Sequence, residues 1–344
     1  MQYLFLFRSL LCLLVVTGTT LAASCRYYID ASHGYSCQLS DINYRSETDV
    51  LVIDGTHMAG KRDTDVLYLF SENTVIRFIP PVIFTKFSRL TRLHLVNVGL
   101  SLNVRSFKNA TSLKVIDIPW NQVTSIPADT FRSCVNLEEI YLYNNKLQTL
   151  DKNAFVGLSK LWRLDLGANL ITEIQTELLH PLTNLTILML MKNNIITIQP
   201  NAFQSLHKLW YLNLDGSELT EVNSVMLAPL VNLEQLYLHN NAITTIHPSA
   251  FRTLTKLSIL SLENNVLNKL DSTIFTPIHN LKILFINKNF IIGIQPNLFT
   301  ILTKLESLDA TENYCIDRNF DKISNLSNEV LPQFAACFAN YQLF

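Results

Sequence analysis

A 24-residue period runs through most of this 344-residue chain, and no other feature limits the fold as much. Leu137, Ile140, Leu142, Asn145 and Leu147 set the frame LxxIxLxxNxL. The frame recurs from Leu161, Leu185, Leu209, Leu233, Leu257, Leu281 and Leu305, and upstream from Leu113, Leu90 and, more loosely, Val66, giving about 11 units. Eight units carry Asn at the ninth position: Asn121, Asn145, Asn169, Asn193, Asn241, Asn265, Asn289 and Asn313. Thr74, Val98 and Ser217 stand there in the other three. An aromatic column follows in each second half, Phe84, Phe107, Phe131, Phe155, Phe203, Phe251, Phe275 and Phe299, interrupted by Leu179 and Leu227.

One such unit cannot bury its own apolar face, so neighbours must stack into a solenoid. The LxL segment predicts one short strand per unit with its leucines in the core. The Asn amide, which both donates and accepts, predicts an interior ladder where the chain leaves each strand. The Phe column predicts a spine on the convex side. Pro127, Pro200, Pro248 and Pro296 precede that side, where a fixed φ suits a helical turn. With turns set by the ladder, the chain manages with 9 Gly.

A solenoid needs its two ends covered. Cys25 and Cys37 lie just before the array; Cys315 and Cys337 lie in and after its last unit. Each pair reads as a local disulfide holding a cap. Cys12 falls in LFLFRSLLCLLVV, an apolar run of secretory-leader length followed by small residues. Cleavage is expected near Ala22 or Ala23; an uncleaved N-terminal anchor is the other reading. No later stretch reaches the roughly 20 apolar residues of a membrane span. Cys134 occupies a column otherwise filled by Leu, Ile or Phe, which predicts a buried thiol, with an intermolecular bridge as the rival. The expected divisions are a leader over 1–23, a cap over 24–65, repeats over 66–314, and a second cap and tail over 315–344. The stretch 38–65 fits the frame poorly, although VLVID within it can form a capping strand.

Strand residues between and just after the leucines face the concave side. They include Tyr68, Phe70, Trp120, Tyr141, Tyr143, Ile187, Met189, Met191, Tyr211, Tyr237, His239 and Phe285. Aromatic and Met clusters of this kind are typical of protein interfaces. They could instead serve the sheet by cross-strand packing. A net charge of −1 gives no electrostatic reason to expect nucleic acid. The 8 His are scattered, and no metal, nucleophile or phosphate-binding motif appears, so neither an enzyme nor a cofactor is expected. His94 near Asp117 is the only tempting pair, and it reads as a solvated surface pair. Asn109-Ala-Thr111, Asn184-Leu-Thr186 and Asn325-Leu-Ser327 are glycosylation sequons off the concave columns.

The repeats resemble the typical 24-residue leucine-rich repeats of extracellular proteins, including Toll-type ectodomains. The resemblance implies an α/β horseshoe with short parallel concave strands, a mostly irregular or 3-10 convex side, and disulfide-bonded caps. The segment CRYYIDASHGYSCQLSDI, followed by IRFIPPVIFTKFSRLTRLHL, and the terminal ENYCIDRNF…AACF resemble insect leucine-rich immune proteins. That implies a secreted module, monomeric or weakly dimeric, binding an extracellular protein or microbial surface in innate immunity. A matrix or adhesion protein and a soluble receptor-like decoy are the alternatives. Some relatives carry a Cys-rich linker and coiled coil; no heptads appear here.

Overall fold

The computed structural model describes residues 18–341. Most of the predicted leader, residues 1–17, lies outside the described residues. Strands β1 (Thr20–Asp30), β2 (Gly34–Ser40) and β3 (Val50–Asp54) build the N-terminal cap. Then β4 (Tyr68–Glu72), β5 (Arg92–Val96) and β6 (Val115–Asp117) open the array. It continues through β7 (Glu139–Tyr141), β8 (Arg163–Asp165), β9 (Ile187–Met189) and β10 (Tyr211–Asn213). It ends with β11 (Gln235–Tyr237), β12 (Ile259–Ser261), β13 (Ile283–Phe285), β14 (Ser307–Asp309) and the cap strand β15 (Asn319–Asp321). All belong to one sheet in the order β15-β14-β13-β12-β11-β10-β9-β8-β7-β6-β5-β4-β2-β1-β3. From β4 to β14 neighbours pair in parallel, each residue opposite its counterpart one unit on, as Glu139 is opposite Arg163.

The leucines of each frame point into the core, and Leu137, Ile140, Leu142 and Leu147 are fully buried. The aromatic column forms the expected convex spine: Phe84, Phe107, Phe131 and Phe155 follow one another with ring centroids 5.2–6.2 Å apart. The convex side is mostly turns, with short helical pieces such as Val82–Lys86, Ser272–Ile274 and Leu298–Ile301.

The Asn ladder is complete in its geometry. Asn169 Oδ1 accepts from Leu147 N of the previous unit at 3.0 Å, while its amide donates to Leu142 O, Leu166 O and Gly167 O at 2.9–3.1 Å. Asn121, Asn145, Asn193, Asn241, Asn265, Asn289 and Asn313 repeat this pattern. Each amide therefore binds three backbone segments of two adjacent units. Where Ser217 replaces Asn, the shorter hydroxyl is buried with no partner.

The residue just before the ladder position of each unit adopts positive φ, from Asn73 at 52° to Glu312 at 55°. Asn97, Asn144, Asn240 and Asn264 tolerate that conformation because a short polar side chain suits it. Gly216 takes it freely, whereas Trp120 and Lys192 are held in it.

On the flank where the chain enters the strands, the residue before each first leucine alternates between Asn and Lys from Asn136 to Lys304. Lys160, Lys208, Lys256 and Lys304 each donate from Nζ to the Oδ1 of the Asn one unit earlier, at 2.5–2.7 Å. Each of those Asn donates from Nδ2 to a backbone carbonyl of the unit before, Asn184 to Ser159 O at 2.6 Å. Along this edge the true period is two units.

Both caps are disulfide-bonded as the Cys placement predicts, Cys25 to Cys37 and Cys315 to Cys337. VLVID forms β3, in parallel register with residues 20–24 of β1. The folded cap thus starts upstream of residue 24: Thr19 N and Oγ1 donate to Asp49 Oδ1, and Ala23 is buried. At the other end β15 runs antiparallel to β14, and the last helix, Ala335–Tyr341, follows Phe334, which packs on Phe299 at 4.7 Å. Cys134 is fully buried with a free thiol, whose pKa burial pushes up to about 12.

The ladder makes two signed predictions. Asn169→Ala leaves the buried Leu147 N–H without its acceptor and takes one of two donors from Leu142 O, Leu166 O and Gly167 O, and should destabilise the fold by about 2 kcal/mol. Ser217→Asn should extend the ladder and stabilise it by about 1 kcal/mol. Urea unfolding followed by circular dichroism reads both, and equal midpoints for the two variants would contradict the ladder's role. Cys134 should resist iodoacetamide in the native protein and react once urea unfolds it; rapid native alkylation would place the thiol at the surface.

Candidate concave binding face

Because units stack in register, residues spaced 24 apart in sequence become neighbours across the sheet. Phe70, His94, Asp117, Tyr141, Asp165, Met189, Asn213, Tyr237, Ser261, Phe285 and Asp309 lie side by side as one row of the concave face. Tyr68, Arg92, Glu139, Arg163, Ile187, Tyr211 and Gln235 lie in the parallel row two residues earlier.

Most of the sequence-predicted residues stand half-exposed on this face. Phe70, Tyr141, Tyr143, Ile187, Met189, Met191, Tyr211, Tyr237, His239 and Phe285 all do so. Tyr68 differs: it is 8% exposed, held beneath His33 and Phe70 with its hydroxyl 3.1 Å from His94 Nδ1, and burial pushes its pKa up to about 12. Trp120 stands on the rim, 57% exposed.

The middle of the face is continuous. The Arg163 guanidinium lies over the Tyr141 ring at 5.1 Å and reaches Met189 Sδ at 3.7 Å. Met191 fills the space left by Gly167, where an added Cβ would meet its sulfur at 2.8 Å. Tyr211 and Tyr237 rings are 5.4 Å apart, and Tyr237 meets His239 edge-on at 6.1 Å. His239 Nε2 in turn sits 3.1 Å from Asp215 Oδ1. Some of these rings therefore do pack on one another, as the cross-strand alternative holds, yet they still leave a half-open aromatic and sulfur-rich surface from β7 to β11.

Charged residues are interleaved in ways that weighing the aromatic residues alone missed. Asp117 Oδ2 lies 3.6 Å from both Arg92 and His94. Burial raises the Asp117 pKa and lowers that of His94, so the imidazole is largely neutral at pH 7. Burial likewise raises Asp165, against the hydrogen bond from Gly167 N. Tyr141 is raised by burial and by donating to Glu139. The 24-residue offset was the available signal for Asp215 and His239; His94 and Asp117, 23 residues apart and named from the sequence, are register partners too. The hydroxyl that reaches His94 among the described residues is that of Tyr68, buried beneath His33 and Phe70. No group of three or more His, Cys, Asp or Glu that could hold a metal occurs among the described residues.

The sequons lie off this face. Asn109 and Asn325 are exposed, and Asn184 is a member of the Asn–Lys edge. No helix among the described residues is long and apolar enough to cross a membrane.

Four overlapping stretches, 111–171, 163–219, 212–267 and 255–314, match the family model of the leucine rich repeat. Chaoptin of Drosophila melanogaster is 30% identical over 141 residues, 39% of this chain and 11% of that protein. The structure of a complex of TLR13 with the single-stranded RNA ssRNA13 aligns with a TM-score of 0.66 at 27% identity, over 72% of this chain and 36% of that one. The Drosophila complex of Toll with Spatzle, described as a hub in development and innate immunity, aligns with a TM-score of 0.70 at 24% identity, over 78% of this chain and 36% of that one. This chain thus spans well under half the length of each.

Trp120 is both the most exposed residue of the predicted set and held at φ +57°. Trp120→Asn should relieve that conformation and stabilise the fold by about 1 kcal/mol. A thermal melt reads it, and a lowered midpoint would show that the indole contributes packing here.

Proposed function

Because the chain belongs to the leucine-rich repeat family, we propose that it is a non-enzymatic extracellular binding module that holds a protein ligand on its concave face. The observation that carries this reading is the half-exposed run from Tyr141 through Met189 and Met191 to Tyr211 and Tyr237, presented by adjacent strands β7 to β11. Large, rigid side chains with a polar tip or polarisable sulfur supply contact area at low entropic cost, and they dominate protein interfaces. An enzyme would need a nucleophile or acid–base pair in a concave pocket, and the face offers packed rows instead.

Secretion is supported by the apolar leader-like start, the two cap disulfides and the extracellular-type relatives. Glycans at Asn109, Asn184 and Asn325 would leave the concave face open. A sugar on Asn184 Nδ2 leaves one N–H for Ser159 O and the carbonyl for Lys208. The cap resemblance supports a role in innate immunity for this chain. RNA, the ligand in the TLR13 complex, suits this chain poorly, because its concave face carries more carboxylates than cations.

The test is affinity capture from extracellular fluid with the secreted protein, read by mass spectrometry. The triple variant Tyr141→Glu, Met189→Glu and Tyr237→Glu should keep the fold by circular dichroism and lose the captured protein. A folded triple variant that captures the same protein with unchanged affinity rules this face out.

A further inference from the structure

The concave reading leaves open what chemistry the face selects. At its N-terminal half the apolar run gives way to four carboxylates, Glu72, Asp117, Glu139 and Asp165, facing two guanidiniums, Arg92 and Arg163. His94 is pushed toward its neutral form by burial and adds little positive charge. His33, nearby, is already matched to Asp30 at 2.7 Å. Glu139 accepts from Tyr141. The other two carboxylates of the middle strands are poorly served. Asp117 is 9% exposed, yet its Oδ1 has no hydrogen-bond partner and its Oδ2 has only the two 3.6 Å contacts. Asp165, 6% exposed, receives one backbone N–H, from Gly167.

A buried carboxylate without full pairing is expensive to maintain. The two flank Tyr141 in a single row, one strand to each side. Adjacent strands lie about 4.8 Å apart, so the two carboxylates stand roughly two strand spacings apart, with the Tyr141 ring between them and the Arg163 guanidinium over that ring. Along the strands Pro119 and Gly167 follow Asp117 and Asp165 two residues on; Pro119 sends no long side chain over Asp117, while Met191 occupies the space beside Gly167 and Asp165.

Resting on the concave-face reading, we propose that the Asp117–Tyr141–Asp165 row is an anchor for a cationic side chain, arginine or lysine, projecting from the protein ligand. The ligand would thus carry a basic residue beside the apolar surface that covers Met189 to Tyr237. The incoming cation meets desolvated carboxylates, where its attraction exceeds that of a surface ion pair.

The probe is a doubly capped hexa-arginine peptide, with hexaglutamate as control, measured by calorimetry at physiological salt. Saturable binding of hexa-arginine is expected, with hexaglutamate silent. Asp117→Asn with Asp165→Asn should weaken it by at least about tenfold. Asp309→Asn with Glu312→Gln, at the far end of the face, should leave it unchanged. Equal binding by the first variant, or equal loss in the second, overturns the anchor, the latter by reducing the effect to net charge. Nitration footprinting of the wild-type protein gives a readout that needs no variant: hexa-arginine should protect Tyr141 and Tyr143, and unchanged nitration overturns the proposal. If the captured protein is lost with the triple Glu variant but bound normally by Asp117→Asn with Asp165→Asn, the face stands and the cationic anchor falls.

Discussion

Everything in this molecule depends on one amide, placed at the same position in eight of its turns. Each strand contributes only a few ladder hydrogen bonds, and the chain must then turn sharply with its backbone groups buried. A carboxamide resolves this because it offers an acceptor and donors together, within reach of two successive units. Asn145 takes Val123 N from its neighbour and gives to Ile118 O behind it and Leu142 O in its own unit. Aspartate lacks the donors and serine lacks the reach, as the orphaned hydroxyl of Ser217 illustrates. The apolar columns supply the burial energy, but the amides determine that units stack at one angle and in one register.

From that register follows the concave face. A residue's neighbours on this surface are not the ones beside it in sequence but those 24 positions away. A face assembled this way varies one strand at a time without disturbing the leucines beneath, because alternate strand residues point to opposite sides. The half-exposed tyrosines and methionines and the carboxylates among them are therefore separable from stability in a manner that core residues are not. Asp117 and Asp165 stand apart, since their burial ties charge to the packing of Tyr141 and its neighbours.

The repeat frame, the Asn and Phe columns, both disulfides, the buried Cys134 and the strand at VLVID were all legible in the sequence, because each is a periodic or counted feature. What was not legible has physical causes. The first cap strand begins upstream of the expected leader boundary because strand pairing with residues 50–54 is a long-range contact that no local pattern announces. Tyr68 sinks under His33, which arrives from the cap and not from the repeats. The left-handed turn before each ladder residue leaves only a faint trace, an excess of Asn at that column, and Trp120 contradicts even that. The pairing of Asp215 with His239 was readable only by reasoning across units, since nothing near either residue in sequence suggests a partner.

The alternation of Asn and Lys along the entry flank has a consequence for how such a chain can change length. Removing residues 161–184 would preserve every leucine, amide and phenylalanine column, and the core would close without a gap. It would also set Lys208 beside the ammonium of Lys160 in place of the Asn184 carbonyl oxygen that it formerly faced. Removing two units restores the alternation. The core counts in single turns while this edge counts in pairs, so the natural increment for shortening or extending the molecule is 48 residues, a parity written on its surface and invisible in its interior.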